Sequence, residues 1–304
     1  MIKLPHPIPY QGSKRLLASA ILGVVPPKRR FKRLYEPFAG AAAITIAAAN
    51  RNLANTFVVG DTLTPLIEIW SSILTDPGVL AESYATIWNG QQDSNTKYYS
   101  RVREEFNASG GAARLLYLLA RCVKNSPRWN RSGAFNQSED KRRLGMHPLK
   151  MRREIEGAHH LLAGKTKAVI GDFEMTMADA GEDDLVYLDP PWQGTSGTRD
   201  QRYHQGLERD RLILALDNLN HRGVPWMLSY DGRCGEKNYG EPLPAMLQAH
   251  RLELEAGRSS QATLNGVNAT TVESLYVSSS LTTTVVARHK PEQVNFLTCL
   301  DVAG

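Results

Sequence analysis

Five short apolar runs recur along this chain, in "RLYEPFAG", "TFVVGD", "KAVIGDF", "DLVYLDPPW" and "VPWMLSYDG", and each ends on a turn built from acids, glycines or prolines. Helical patterns separate them, such as the alanine-rich "AAAITIAAAN" and "LERDRLILALDNLNHRG", which ends at Gly223. Strands alternating with helices read as βαβ units and a parallel α/β sheet. Leu16, Leu17, Ala20, Ile21 and Val24 recur at helical spacing ahead of Pro26 and Pro27, and a helix that Thr64 could cap follows "TFVVGD", with Pro65 in its first turn. From about residue 66 to 163 the alternation stops: "KYYSRVREEF" and "AARLLYLLARCV" are helical, and "NRSGAFN" is loop-like. A strand-rich end follows in "RLELEAG", "VESLYVSS" and "LTTTVVARH".

In open parallel sheets ligands lie beyond the carboxyl ends of the strands, where the strand order reverses. Phe38 and Gly40 follow the first strand, and small residues there let backbone approach a nucleoside. Asp61 stands 21 residues beyond Gly40, about where a nucleotide fold places the acid that holds ribose hydroxyls. Asp172, Phe173 and Asp189 end later strands. Pro190 and Pro191 hold Asp189 on a stiff turn, with Trp192 following.

Charge is concentrated rather than spread. Between Arg121 and Arg153 ten Lys/Arg stand against Glu139 and Asp140, a local +8 that exceeds the +5 of the whole chain. One segment therefore makes the protein basic and points to a polyanion contact. Cys122, Cys234 and Cys299 show no metal-ligand spacing and leave an odd count for disulfides, which fits a reducing cytoplasm. No run approaches the roughly 18 apolar residues of a membrane span, so no membrane contact is expected.

Taken in order, "YQGSK" (residues 10 to 14), "EPFAG", Asp61, "GDF" and "DPPW" resemble the Dam-like (D12 class) DNA adenine N6-methyltransferases. "SPRWNRSGAFN" and the stretch from Gly257 to Val277 extend the likeness more loosely. The resemblance implies a Rossmann-like S-adenosylmethionine-dependent methyltransferase sheet in residues 1–65 and 164–304, with a helical DNA-recognition insertion at 66–163. It implies Tyr10, Lys14, Phe38, Gly40, Asp61, Asp172, Phe173 and Asp189 as residues that hold S-adenosylmethionine, without a metal. Asp61 would take the ribose, and Asp172 and Phe173 the donor's adenine. Asp189, Pro190, Pro191 and Trp192 would be the catalytic motif: the carboxylate and a proline carbonyl accept the hydrogens of the target amine, and Trp192 stacks on the flipped base. Arg128, Asn130, Arg131, Lys141, Arg142 and Arg143 would contact double-stranded DNA.

A cognate restriction enzyme is a candidate partner, and the chain would act as a monomer or weak dimer. Three other readings stand beside this one: an RNA adenine N6-methyltransferase, a DNA cytosine N4-methyltransferase, and a catalytically silent nucleic-acid-binding protein.

Overall fold

The computed structural model describes residues 3–91, 97–191, 209–234, 237–258 and 270–282. Eight strands among them form one sheet: β1 (Phe31–Glu36), β2 (Ala54–Asp61), β3 (Thr166–Ile170), β4 (Leu185–Leu188), β5 (Trp226–Cys234), β6 (Lys237–Tyr239), β7 (His250–Arg258) and β8 (Thr270–Val277). Their order is β3-β2-β1-β4-β5-β8-β7, with β6 paired to the far part of β5. Strands β1 to β5 run parallel, and β8 and β7 are antiparallel additions. The chain steps outward from β1 to β3 and then returns to place β4 on the other side of β1, so the strand order reverses between β1 and β4.

The apolar runs are explained by burial on both faces of this sheet. Leu34, Phe57, Val59, Leu185, Tyr187 and Met227 enter one core, while their neighbours Tyr35, Val58, Val186, Leu188, Trp226 and Leu228 enter the other. Successive side chains alternate faces, so a strand covered on both sides must be apolar at every position. The first core is closed by α1 (Ala18–Gly23), α2 (Ala43–Asn50), α3 (Thr64–Thr75), α4 (Pro77–Asn89), α5 (Lys97–Ser109), α6 (Ala112–Arg121) and α7 (Pro148–Leu162). The second is closed by α8 (Phe173–Thr176) and α9 (Arg209–His221), and the short α10 (Ser279–Thr282) follows β8. Helix α3 packs on β2 and β3, α4, α6 and α7 stack onto it, and α6 and α7 each pack on α4. No helix among the described residues is long and apolar enough to cross a membrane.

Local departures from the sequence reading have physical causes. Lys14–Leu16 form a 3-10 turn ahead of α1, whose tighter period turns Leu16 outward, 74% exposed, while Leu17 and Ile21 stay buried. Thr64 does not cap α3: it lies within the first turn, and the Asp61 carboxylate accepts the Leu63 N–H at 3.0 Å instead. Ser229, Tyr230 and Asp231 lie inside β5 rather than in a turn after it. "LTTTVVARH" opens in α10 with Leu281 and Thr282, and its remaining residues lie outside the described ones.

Gly60 sits where β2 meets α8. A Cβ there would overlap the hydroxyl, methyl and Cβ of Thr176, which is 5% exposed and held by its own hydroxyl bond to the Asp172 carbonyl at 2.8 Å. Gly60→Ala is therefore expected to lower unfolding free energy by about 1–3 kcal/mol, seen as a lower urea midpoint at unchanged slope. Adding Thr176→Ala should restore part of the loss, and a double-mutant cycle reads that coupling.

Candidate active site

The strand order reverses between β1 and β4, with β2 beside β1 and β3 at the sheet edge, and Asp61, Asp172 and Asp189 lie at the ends of β2, β3 and β4. After β1 the chain turns sharply. Gly40 has φ +48 and Ala42 φ 45, so Ala42 adopts a left-handed conformation that costs a residue with a Cβ roughly 1–2 kcal/mol. The turn is held by backbone and carboxylate: Ala39 N–H donates to the Gly60 carbonyl at 2.8 Å, and Gly40 N–H to Asp61 Oδ2 at 3.3 Å. A Cβ on Gly40 would lie 3.9 Å from Cδ1 of Tyr10, which places the Tyr10 ring over this turn. Asp61 thus braces two turns at once, and burial raises its pKa against the pull of the backbone N–H groups.

Asp189 follows β4, with Pro190 buried and Pro191 half-buried. Its Oδ1 lies 3.1 Å from Lys14 Nζ, and the same ammonium lies 3.0 Å from Glu273 Oε2 on β8. Lys14 is 7% exposed, and the Asp189 and Glu273 side chains 20% and 15%. Burial alone would lower the Lys14 pKa, but the two carboxylates more than offset it and the ammonium stays charged. Burial pushes the Asp189 carboxyl up to about 6, with Lys14 opposing and Glu273 adding to the rise. Tyr187 is raised well above its usual value by burial and by these carboxylates, and its hydroxyl bonds Ser229 Oγ at 2.9 Å.

At the tip of β3 the expected contacts are partly occupied from within. Asp172 caps α8 by accepting Met175 N–H at 2.9 Å, and its other oxygen pairs with Arg211 of α9. Burial acts to raise its pKa, yet these donors hold the carboxyl below its usual range. Phe173 is 2% exposed, stacked on Phe38 at 5.4 Å between centroids and covered by the Arg211 guanidinium at 5.1 Å. Phe38 is the half-exposed ring of the pair.

In the basic segment, Trp129 and Phe135 bridge as an antiparallel pair and pack with Phe106 of α5. Asn107 clamps the Phe135 backbone from both sides, at 2.8 and 3.0 Å. This anchors a tight loop whose own scaffold is Asn130: its side-chain oxygen accepts from Ser132 N–H and Ala134 N–H. Arg128 and Arg131 are exposed on the loop. Lys141 and Arg142 are exposed too, Arg142 also pairing with Asp140 at 3.2 Å. Arg143 is committed to structure, bonding the Cys122 carbonyl, Asn125 Oδ1 and Asp140. Gln11 N–H donates to the Asn125 carbonyl at 2.9 Å, which joins the "YQGSK" motif to this segment. Trp192 lies outside the described residues.

Three residues here carried no role in the sequence reading: Glu36, Arg211 and Glu273. Glu36 was visible as the strand-tip acid of "EPFAG". It is 3% exposed and accepts Thr45 N–H at 2.7 Å, capping α2 from the strand that precedes it. Burial pushes its pKa up to about 7, with the Thr45 bonds opposing and Asp189 adding. The folded form thus holds its proton more tightly than the unfolded chain, whose value is near 4.5, so the cost of charging Glu36 grows as pH rises from about 4.5 to 7. Glu36→Gln, which can keep the Thr45 bond, should be more stable than wild type near pH 8. That advantage should shrink by about 2 kcal/mol on acidifying to about pH 5.5, read by urea unfolding at both pH values.

Comparison with known proteins shows the family. The family model of the D12 class N6 adenine-specific DNA methyltransferases matches residues 10–278. The DNA N-6-adenine-methyltransferase of Escherichia phage P1 is 30% identical over 66% of this chain, which spans 27% of that relative's length. The type II methyltransferase M1.LlaDCHI of Lactococcus lactis subsp. cremoris is 27% identical over 72% of this chain and 78% of its own. The retron Ec67 DNA adenine methylase of Escherichia coli is 29% identical over 65% of this chain and 68% of its own. With the matched region running from Tyr10 through the strand-tip acids to the end of β8, the chain belongs to the D12 class N6 adenine-specific DNA methyltransferase family.

Proposed function

We propose that this protein transfers a methyl group from S-adenosylmethionine to the N6 amine of an adenine flipped out of double-stranded DNA. The observation that carries the reading is Asp189 on its Pro190–Pro191 turn, at the reversal point of the sheet and beside the glycine turn after β1. The residues present suit such a donor: Asp189 and Glu273 share one ammonium, and Glu36 lies close enough to feel the Asp189 charge, an acidic surround fitted to a sulfonium cation. Asp61 would hold ribose hydroxyls while keeping its backbone bonds, since each carboxylate oxygen accepts more than one. Tyr10 and Gly40 would line the methionine end. Phe38 is the ring on which the donor's adenine packs, with Phe173 supporting it from behind and Asp172 at its edge. When bound, S-adenosylmethionine supplies an electrophilic methyl group.

The chain's own work is to prepare the acceptor. An exocyclic adenine amine is a poor nucleophile because its lone pair is delocalised into the ring. Asp189 and a carbonyl of Pro190 or Pro191 take its two hydrogens, which frees the lone pair and aims it, and the stiff turn keeps both acceptors in place. Trp192 would stack on the flipped base, worth roughly 1–3 kcal/mol. Residues 66–163 form the recognition insertion in this reading. Arg128, Arg131, Lys141 and Arg142 supply its DNA-facing cations, and Asn130 shapes the loop that presents two of them. A cognate restriction enzyme and a monomeric or weakly dimeric state belong to the same proposal.

The direct test is transfer of labelled methyl from S-adenosylmethionine to unmethylated duplex DNA, with RNA in parallel. Label should appear in DNA as N6-methyladenine, and Asp189→Ala should lower the rate at least about 10²-fold. Label confined to RNA would replace the substrate, and label in neither would remove the enzymatic reading. Because Asp189 must be ionised to accept, kcat/KM should fall on the acid side of about pH 6. Arg128→Ala and Arg131→Ala should each weaken DNA binding and flatten the log–log salt dependence by about one. Arg143→Ala should instead lower stability, because its guanidinium ties the loop to Cys122 and Asn125.

A further inference from the structure

Glu273 stands two strands away from Asp189, because β5 runs between β4 and β8. Strands in a sheet are spaced about 4.8 Å apart, so the backbones of β4 and β8 lie roughly 10 Å from each other. The lysine stem spans that gap. In the ladder Glu273 is opposite Gly232, just beyond the register shift in β5 between Ser229 and Gly232. On its other side Glu273 pairs with Leu254 of β7, so its backbone is fixed from both flanks.

We propose that Glu273 is a positioning residue for methyl transfer: it holds the Lys14 ammonium between β4 and β8 and thereby fixes both the place and the acceptor strength of Asp189. The inference rests on the reading of Asp189 as the acceptor of the amine hydrogens. Lys14 rides on a 3-10 turn at the end of a flexible four-carbon stem, and one ion pair would let it swing about Asp189. Two carboxylates on different strands define a single position for Nζ. The sharing also matters electrically. An ammonium given wholly to Asp189 would quench that carboxylate as an acceptor, whereas one drawn partly toward Glu273 leaves Asp189 able to take an amine hydrogen.

Among the described residues, Glu36 and Tyr187 near Asp189 are engaged elsewhere. Glu36 on β1 adds negative charge but is bound to Thr45, and the Tyr187 hydroxyl is bonded to Ser229. Among the described residues, Glu273 shares Lys14 with Asp189. Nothing in "VESLYV" marks this residue, since a glutamate in an alternating strand ordinarily faces solvent.

The test compares the full chain with Glu273→Gln, Glu273→Asp and Lys14→Met. Removing the Glu273 charge should lower kcat about tenfold while leaving KM for DNA and donor within about threefold. The acid limb of kcat/KM should move to lower pH in Glu273→Gln, to higher pH in Lys14→Met, and stay within a few tenths of wild type in Glu273→Asp. The same shifts should appear without substrate in 13C spectra of aspartate-labelled protein, with the Asp189 carboxyl assigned by its loss in Asp189→Asn. Should Glu273→Gln not fold, Glu273→Ala carries the same expectation. An acid limb and an Asp189 resonance unmoved in the charge-removing variant would reduce Glu273 to a packing role and overturn the proposal. If wild type transfers no methyl group, the functional reading fails instead, while the substrate-free titration still decides the role of Glu273.

Discussion

A parallel sheet covered on both faces leaves its strands no room for charge, and the rest of this structure follows from that constraint. Along β1, β2, β4 and β5 one residue enters the core of α1 to α7 and the next enters the core of α8 and α9. Along β1, β2 and β4 carboxylates are carried only where the strands end, whereas Asp231 within β5 and Glu273 within β8 are each paired with a cation. Glu36, Asp61 and Asp189 stand at strand tips and Asp172 two residues past the end of β3, and the reversal of strand order between β1 and β4 opens the space between them. The gathering of acids at one end of the sheet is thus a by-product of the same burial that stabilises the fold.

Gathering acids in this way has an electrostatic cost, met by two different devices. Around Asp189 it is Lys14, a buried cation that draws the N-terminal segment, β4 and β8 together. Around Asp172 it is Arg211, which also covers Phe173. Removing one member of such a cluster leaves the others uncompensated, which is why buried ion pairs are more costly to break than they are worth to make. Glu36 and Asp189 escape part of the strain by holding protons more tightly.

The helical segment between β2 and β3 also anchors the N-terminal segment. Pro5 packs against Gly157 of α7, the His6 N–H donates to Glu154, and Gln11 bonds the Asn125 carbonyl, so this segment fixes the course of residues 5–14 that leads to Lys14. Its cations divide by environment. Arg121 is buried against Gln91 and Glu139, and Arg143 straps the loop, while Arg128 and Arg131 ride on a loop stapled by Trp129, Phe135 and Asn107. A count of positive charge could not make that division, because it depends on which side chains find acceptors within the fold.

The sequence by itself determined the parallel strands β1 to β5, the helices that alternate with them, and the acids at their ends, since these depend on local periodicity and on proline and glycine geometry. "DPPW" placed Asp189 on a rigid turn whatever the surroundings, and the alanine-rich stretch could only be a buried helix. Tertiary structure decided what each charged group does. Glu36 became a helix cap, Asp172 a cap shared with an arginine from α9, Asn130 the scaffold of a loop, and Glu273 the second partner of Lys14. These roles join residues far apart in the chain, and the energy of a buried charge is set by the groups that folding brings within a few ångströms of it, which no local pattern encodes.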